Sequence, residues 1–191
     1  MSMQQQIVLV RHGRSGHVHK GWIDVAGFGR WREAYEAAGI DEQHQPPPEL
    51  KDLASASGLI VASDAPRAIQ SAKMLDPRRD ITTSPLLQEL TLAPPNVVGI
   101  RMPLAAWALA FGVRWLIRAL LRRAHESPEE LQRSREAAQW LSSLTERHGT
   151  VVAVTHNTFR SLLSRHLIEQ GWRCTIPRRR SSHWSAWVLR R

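Results

Sequence analysis

Three short apolar runs constrain this chain more than any other feature: Ile7 to Val10, Leu59 to Ala62 and Val151 to Val154. Such continuous apolar runs, rich in β-branched residues, read as strands buried on both faces of a sheet. Segments with helical signals lie between and after them, at Pro66 to Leu75 and at Thr158 to Gln170, the latter closed by Gly171 in the position of a C-cap. The clearest helix start is Ser127-Pro128-Glu129-Glu130, with a serine N-cap, a proline at the first helical position and a glutamate at the third. That helix is predicted to run to about Arg147, just before Gly149. Strands alternating with helices predict an α/β fold, a three-layer sandwich with a mainly parallel central sheet and helices on both faces. A further strand is expected at Ile81 to Ser84, and Ser185 to Leu189 is expected to add an edge strand. No linker or repeat divides the chain, so residues 1–191 read as one domain, with Gln43 to Pro48 as a proline-rich connecting loop.

With 191 residues, 42% of them hydrophobic, the chain can bury a substantial core, which excludes disorder throughout. Lys and Arg outnumber Asp and Glu by 26 to 17, a formal charge of +9, and Lys20, Lys51 and Lys73 are the only lysines. This arginine surplus fits an anionic substrate, nucleic acid or an acidic surface, and equally a bias of composition; charge alone does not choose. The single cysteine, Cys174, excludes an intramolecular disulfide framework and a multi-cysteine zinc site, and is compatible with a reducing cytoplasm. Met1 to Gln6 is short and polar and leaves no room for a secretory signal, so a cytoplasmic location is expected. Met102 to Leu121 approaches membrane-spanning length but contains Arg114 and Arg118 and is followed by Arg122-Arg123. It reads as an amphipathic or partly buried helix rather than a transmembrane segment.

Chemistry enters where the buried runs stop. Val10 is followed by Arg11-His12-Gly13, Ala62 by Ser63-Asp64, and Val154 by Thr155-His156-Asn157. Ligands of parallel α/β sheets bind beyond the carboxyl ends of the strands, so these groups are expected to converge on one crevice. An imidazole there, beside an arginine and a glycine that permits close backbone approach, can bind or attack phosphate. His156 can hydrogen-bond a phosphoryl oxygen while Arg11 supplies a bidentate charged clamp. Asp64 is a rival acid, although its place before Pro66 favours an N-cap role.

Arg11-His12-Gly13 after an initial strand resembles the signature of the histidine phosphatase superfamily, whose best-known members are the cofactor-dependent phosphoglycerate mutases. Ser63-Asp64-Ala65-Pro66-Arg67-Ala68-Ile69-Gln70-Ser71-Ala72 resembles the family's second block, Leu86-Leu87-Gln88-Glu89-Leu90 the segment bearing its acidic proton donor, and Val154-Thr155-His156 its second histidine block. The resemblance spans residues 7 to 159. It implies a phosphoglycerate mutase-like fold with His12 as a nucleophile that forms a phosphohistidine. Arg11, Arg67 and His156 would then neutralise and orient the phosphoryl group, and Glu89 would protonate the leaving oxygen and later activate water. It implies no metal and no cofactor.

Departures from the pattern narrow what the resemblance carries. After the first signature the mutases continue with an acidic residue; this chain has Arg14-Ser15-Gly16-His17, where Arg14 reads as outward-facing and Ser15 and His17 as substrate contacts. Asn157-Thr158 replaces the familiar glycine pair, which makes Asn157 a further substrate-contact candidate. The Glu89 block continues as Thr91-Leu92-Ala93-Pro94-Pro95 instead of a glycine- and tryptophan-rich stretch. Substrate choice is expected to lie in an insertion, residues 94–126, forming a helical lid. There Trp107, Phe111 and Trp115 recur at helical intervals beside Arg114, Arg118 and Arg122. Packing on the domain is preferred to a membrane-surface role, because amphipathicity is the ordinary pattern of globular helices. Arg178-Arg179-Arg180 near Trp184 and Trp187 could contact nucleic acid, but no nucleic-acid module surrounds the cluster, and solvated arginines suffice. His166 and His183 have no matching metal-ligand constellation.

The chain is therefore expected to be a metal-independent phosphomonoester hydrolase of a small phosphate ester or other phosphorylated substrate. A mutase-type phosphotransferase, or a noncatalytic phosphate- or nucleic-acid-binding protein on the same scaffold, is the alternative.

Overall fold

A computed structural model of the chain describes residues 5–18, 21–90, 99–107, 109–110, 127–175 and 181–191. Six strands form one sheet in the order β4-β3-β6-β1-β8-β7: β1 (Gln6–Arg11), β3 (Leu59–Ser63), β4 (Thr82–Ser84), β6 (Thr150–Thr155), β7 (Arg173–Cys174) and β8 (Ala186–Arg190). β1, β3, β4 and β6 pair in parallel, and β8 and β7 are antiparallel additions. The last apolar run is thus not an edge strand. β8 lies between β1 and β7, and the two-residue β7 takes the edge beside it.

The alternation of each buried run decides which layer it feeds. Ile7, Leu9, Val151 and Ala153 pack on one face against Ala137, Leu141, Phe159 and Leu163 of α4 (Pro128–His148) and α5 (Asn157–Glu169). Val8, Val10, Val152 and Val154 pack on the other against Leu50 and Ala54 of α2 (Pro48–Ala56) and Ala68 and Ala72 of α3 (Pro66–Leu75). Both faces are covered, which is why these strands carry no polar alternation. Ser127 Oγ caps α4 by accepting from the Glu130 amide, and Gly149, at φ 68°, ends it where a side chain would be strained.

The expected N-cap at Asp64 is not made. Ala65 occupies the cap position of α3 and offers no side chain, while the Asp64 carboxylate, one residue too early, accepts instead from Gln88 Nε2 at 2.8 Å. Ser63 Oγ takes the local amide, that of Ala65, at 3.3 Å.

A satellite of the sheet forms where α1 (Val25–Ala37) meets a small ladder of β2 (Trp22–Ile23) and β5 (Met102–Pro103). Ile23, Phe28 and Trp107 are buried together there, and Trp107 Nε1 donates to Ile23 O at 2.9 Å. For Trp107 the packed reading of the insertion holds; Phe111, Trp115, Arg114, Arg118 and Arg122 lie outside the described residues, as do Arg178 to Arg180. No helix among the described residues is long and apolar enough to cross a membrane.

Candidate active site

The parallel register brings Arg11 at the end of β1 opposite Thr155 at the end of β6, so His12 and His156 leave adjacent strands side by side. Their rings are 5.1 Å apart in an edge-on arrangement, and His12 is only 2% exposed. His12 Nδ1 lies 2.7 Å from Gly13 O. A carbonyl can only accept, so Nδ1 carries the proton and Nε2 keeps a free lone pair. Burial, with smaller contributions from Arg67 and Arg11 and against the pull of the Gly13 carbonyl, lowers the His12 pKa to about 3. The ring is therefore a neutral base in a cationic surrounding.

His156 has the opposite tautomer. Arg67 can only donate, so its contact at 3.2 Å makes Nδ1 of His156 an acceptor, and Nε2–H donates to Ser63 Oγ at 3.0 Å. Burial, then Arg67 and His12, hold the His156 pKa well below the ordinary histidine value. Arg67, 1% exposed at the start of α3, also donates to Glu36 Oε2 at 2.9 Å and to Tyr35 O at 3.3 Å. Arg11 reaches the backbone carbonyl of Ser181. The Nε of Arg11 and the Nε of Arg67 are buried and have no hydrogen-bond partner among the described residues. Two such donors leave unsatisfied hydrogen-bonding capacity that a phosphate oxygen can fill.

Glu89 follows the short turn after β4 and places its carboxylate at the N-terminus of α5. Oε1 accepts from the amides of Phe159 at 2.8 Å and Leu90 at 3.0 Å, and Oε2 from that of Thr158 at 3.3 Å. These bonds favour the anion, yet burial outweighs them and the Glu89 pKa is raised. A carboxyl held toward its neutral form is what proton donation requires.

Glu89 and His156 line one cavity of about 520 Å³, together with Asp64, Ala65, Gln88 and Leu90. The facing wall belongs to α1, which the sequence reading did not place at the site: Phe28, Trp31, Arg32, Tyr35 and Glu36. Arg11, His12, Arg67, Ser15, His17 and Asn157 do not line this cavity; His12 and Arg67 adjoin it through His156. Ser15 bridges Ile40 and its Oγ accepts from the His17 amide, while Asn157 Oδ1 accepts from Arg160. Arg160 is fully buried over the Trp187 ring at 3.9 Å and donates to Ser185 O at 2.6 Å, tying α5 to the start of β8; burial lowers its pKa to about 10.

Two further residues reach His12 from the segment before β8. His183 stands 5.8 Å from the His12 ring, and burial followed by Arg11 lowers its pKa to about 4. Trp184 adopts φ 61°, and a Cβ on Gly13 would come within 2.4 Å of its indole. The glycine after His12 is thus required here by packing. Trp184 Nε1 donates to His44 O at 2.8 Å, which fixes the indole. Among the described residues no group of three metal-ligating side chains is assembled.

Comparison with known proteins places the fold. The family model described as histidine phosphatase superfamily (branch 1) matches residues 7–182. No curated protein matches the chain. Among solved structures, it is similar to mycobacterial glucosyl-3-phosphoglycerate phosphatase at 18% identity and a TM-score of 0.57, covering 98% of this chain and 90% of that one. A mycobacterial hydrolase matches at 20% identity and a TM-score of 0.58, over 98% and 82% of the two chains. The phosphoserine phosphatase of Entamoeba histolytica matches at 13% identity and a TM-score of 0.52, over 86% and 80%. At these identities the likeness speaks to the fold.

Proposed function

The chain belongs to the histidine phosphatase superfamily, and from that premise we propose that it hydrolyses phosphate monoesters through a phosphohistidine on His12. One observation carries this reading: His12 is a buried neutral imidazole with Nδ1 anchored on Gly13 O, its Nε2 lone pair free, among Arg11, Arg67 and His156.

In the first step the Nε2 lone pair attacks phosphorus and the ester P–O bond breaks. Glu89, protonated, gives its proton to the leaving oxygen, and the alcohol departs. In the second step Glu89, now a carboxylate, takes a proton from water; the water oxygen bonds to phosphorus as the P–N bond breaks, and His12 recovers its lone pair. Arg11 and Arg67 balance the phosphoryl charge throughout, a role that metal ions fill in many phosphoryl-transfer enzymes. The phosphatase activities named for the three-dimensional relatives support hydrolysis over phosphotransfer to a second substrate site.

The test is a panel of phosphomonoesters with the wild-type chain and His12→Ala, read alongside capture of an acid-labile phosphoprotein. Turnover and phosphoprotein in the wild type, both absent in the variant, are expected. A wild-type chain that binds phosphate but hydrolyses no ester overturns the reading in favour of a binding protein.

A further inference from the structure

The phosphatase reading leaves the organic half of the substrate undefined, and the wall of α1 defines it. Phe28, Trp31, Tyr35 and Glu36 recur at helical spacing on one face, so their side chains form a row along the cavity. The Phe28 and Trp31 rings are 5.5 Å apart, and Trp31 and Tyr35 are stacked at 5.2 Å with 26° between planes. The Arg67 guanidinium lies 4.6 Å over the Tyr35 ring. The row therefore runs without interruption from an apolar end to the cation proposed to hold phosphate.

Two details sharpen the chemistry of what fits. Trp31 Nε1, a donor in that wall, is buried with no hydrogen-bond partner among the described residues. Donors left bare in an aromatic wall call for acceptors on a ligand. Among the described residues the remaining lining carries the carboxylates of Glu36 and Asp64, with Glu89 held toward its neutral form, against the guanidinium of Arg32. Such a balance disfavours an acidic organic group. A cation is disfavoured for a separate reason, since Arg67 already occupies the face of Tyr35 that a quaternary ammonium would use.

Resting on the hydrolase assignment, we infer that the substrate is the phosphate monoester of an uncharged aromatic or heteroaromatic alcohol, its ring packed against the Phe28–Trp31 end of the row. A cavity of about 520 Å³ accommodates a ligand of that class.

The test compares esters of matched leaving groups, so that ring recognition is separated from intrinsic reactivity. 2-Phenylethyl phosphate is expected to exceed 2-cyclohexylethyl phosphate in kcat/KM by about tenfold, the scale of one aromatic pair. 3-Phosphoglycerate and phosphocholine are expected to fall below both. Trp31→Leu should bring the aryl-to-cyclohexyl ratio to about one, and Trp31→Phe should keep it, with the inhibition constant for inorganic phosphate showing in each variant that the phosphate end is intact. Equal turnover of the two esters, a ratio unmoved by Trp31→Leu, or preference for phosphocholine or 3-phosphoglycerate overturns the inference while leaving the hydrolase reading in place. Absence of turnover for every ester overturns the hydrolase reading itself.

Discussion

Arg11, His12, Ser63 and His156 all sit where strands of one sheet stop, and His156 brings that group to the cavity; on the cavity's helical side, Phe28, Trp31 and Tyr35 come from the face of a single helix. The first group is placed by backbone pairing, whose register fixes neighbours to within a residue. The second is placed only by how α1 lies on the satellite cluster around Trp107. One end is therefore defined by the fold and the other by side-chain choice, which is how a common scaffold can keep its chemistry and change its substrate.

That contrast can be broken most severely at the acid. Glu89→Gln should lower kcat for alkyl phosphates by about 10³-fold, the scale of a lost general acid; with p-nitrophenyl phosphate, whose leaving group needs no proton, it should spare the release of p-nitrophenol in the first turnover and slow only the hydrolysis of the phosphoprotein that follows. With the wild type, kcat for alkyl esters should fall as pH rises through the raised Glu89 pKa, and that limb should vanish in the variant. Arg67→Ala should cost about 10²-fold in kcat/KM on every ester alike, because it acts on phosphate and not on the organic group. A loss confined to aromatic esters would instead make Arg67 part of the helix wall.

Stability against acid provides a third measure. The folded His12 pKa, about 3, lies below the 6.5 of a free histidine. Between those values the unfolded chain takes up a proton that the folded chain refuses, so His12 subtracts stability as pH falls from about 6.5 toward 3. The slope is about 1.4 kcal/mol per pH unit for this group. Urea unfolding at pH 6.5 and 5.0 should show it, and His12→Asn should remove this share of the slope while His156 and His183 keep theirs. The smallest effect is expected at Glu36, which is half exposed and holds Arg67. Glu36→Gln should tighten inhibition by inorganic phosphate by about two- to fivefold, the worth of a partly exposed ion pair.

The parts legible in the sequence are those in which one local pattern carries both fold and chemistry. A β-branched run followed at once by Arg11-His12 or by His156 states a strand and a group at its end together, and α4 announces itself through Ser127 and Pro128. What escaped depends on distant packing. In α1 the aromatics stand among charged residues and two glycines, Gly27 and Gly29, so no apolar stripe marks the cavity face. His183 reaches His12 only because β8 runs back antiparallel beside β1. β7 has two residues, too few for periodicity to register, so β8 looked like the edge. Asp64 misled because capping depends on a shift of one residue, and Ala65 rather than Asp64 stands at the cap.

Trp184, held at φ 61° against Gly13, ties the loop that carries His12 to a remote part of the chain. Its backbone sits in a region that costs a bulky residue about 1–3 kcal/mol, so the surrounding contacts must impose it. The loop that carries His12 and the indole that packs on it are far apart in sequence, Gly13 and Trp184, and only the folded sheet brings them together. A chain cut before Trp184 keeps Arg11, His12, Arg67 and His156 and still lacks the indole on which Gly13 packs, so that loop is held from a distance and not by its sequence neighbours.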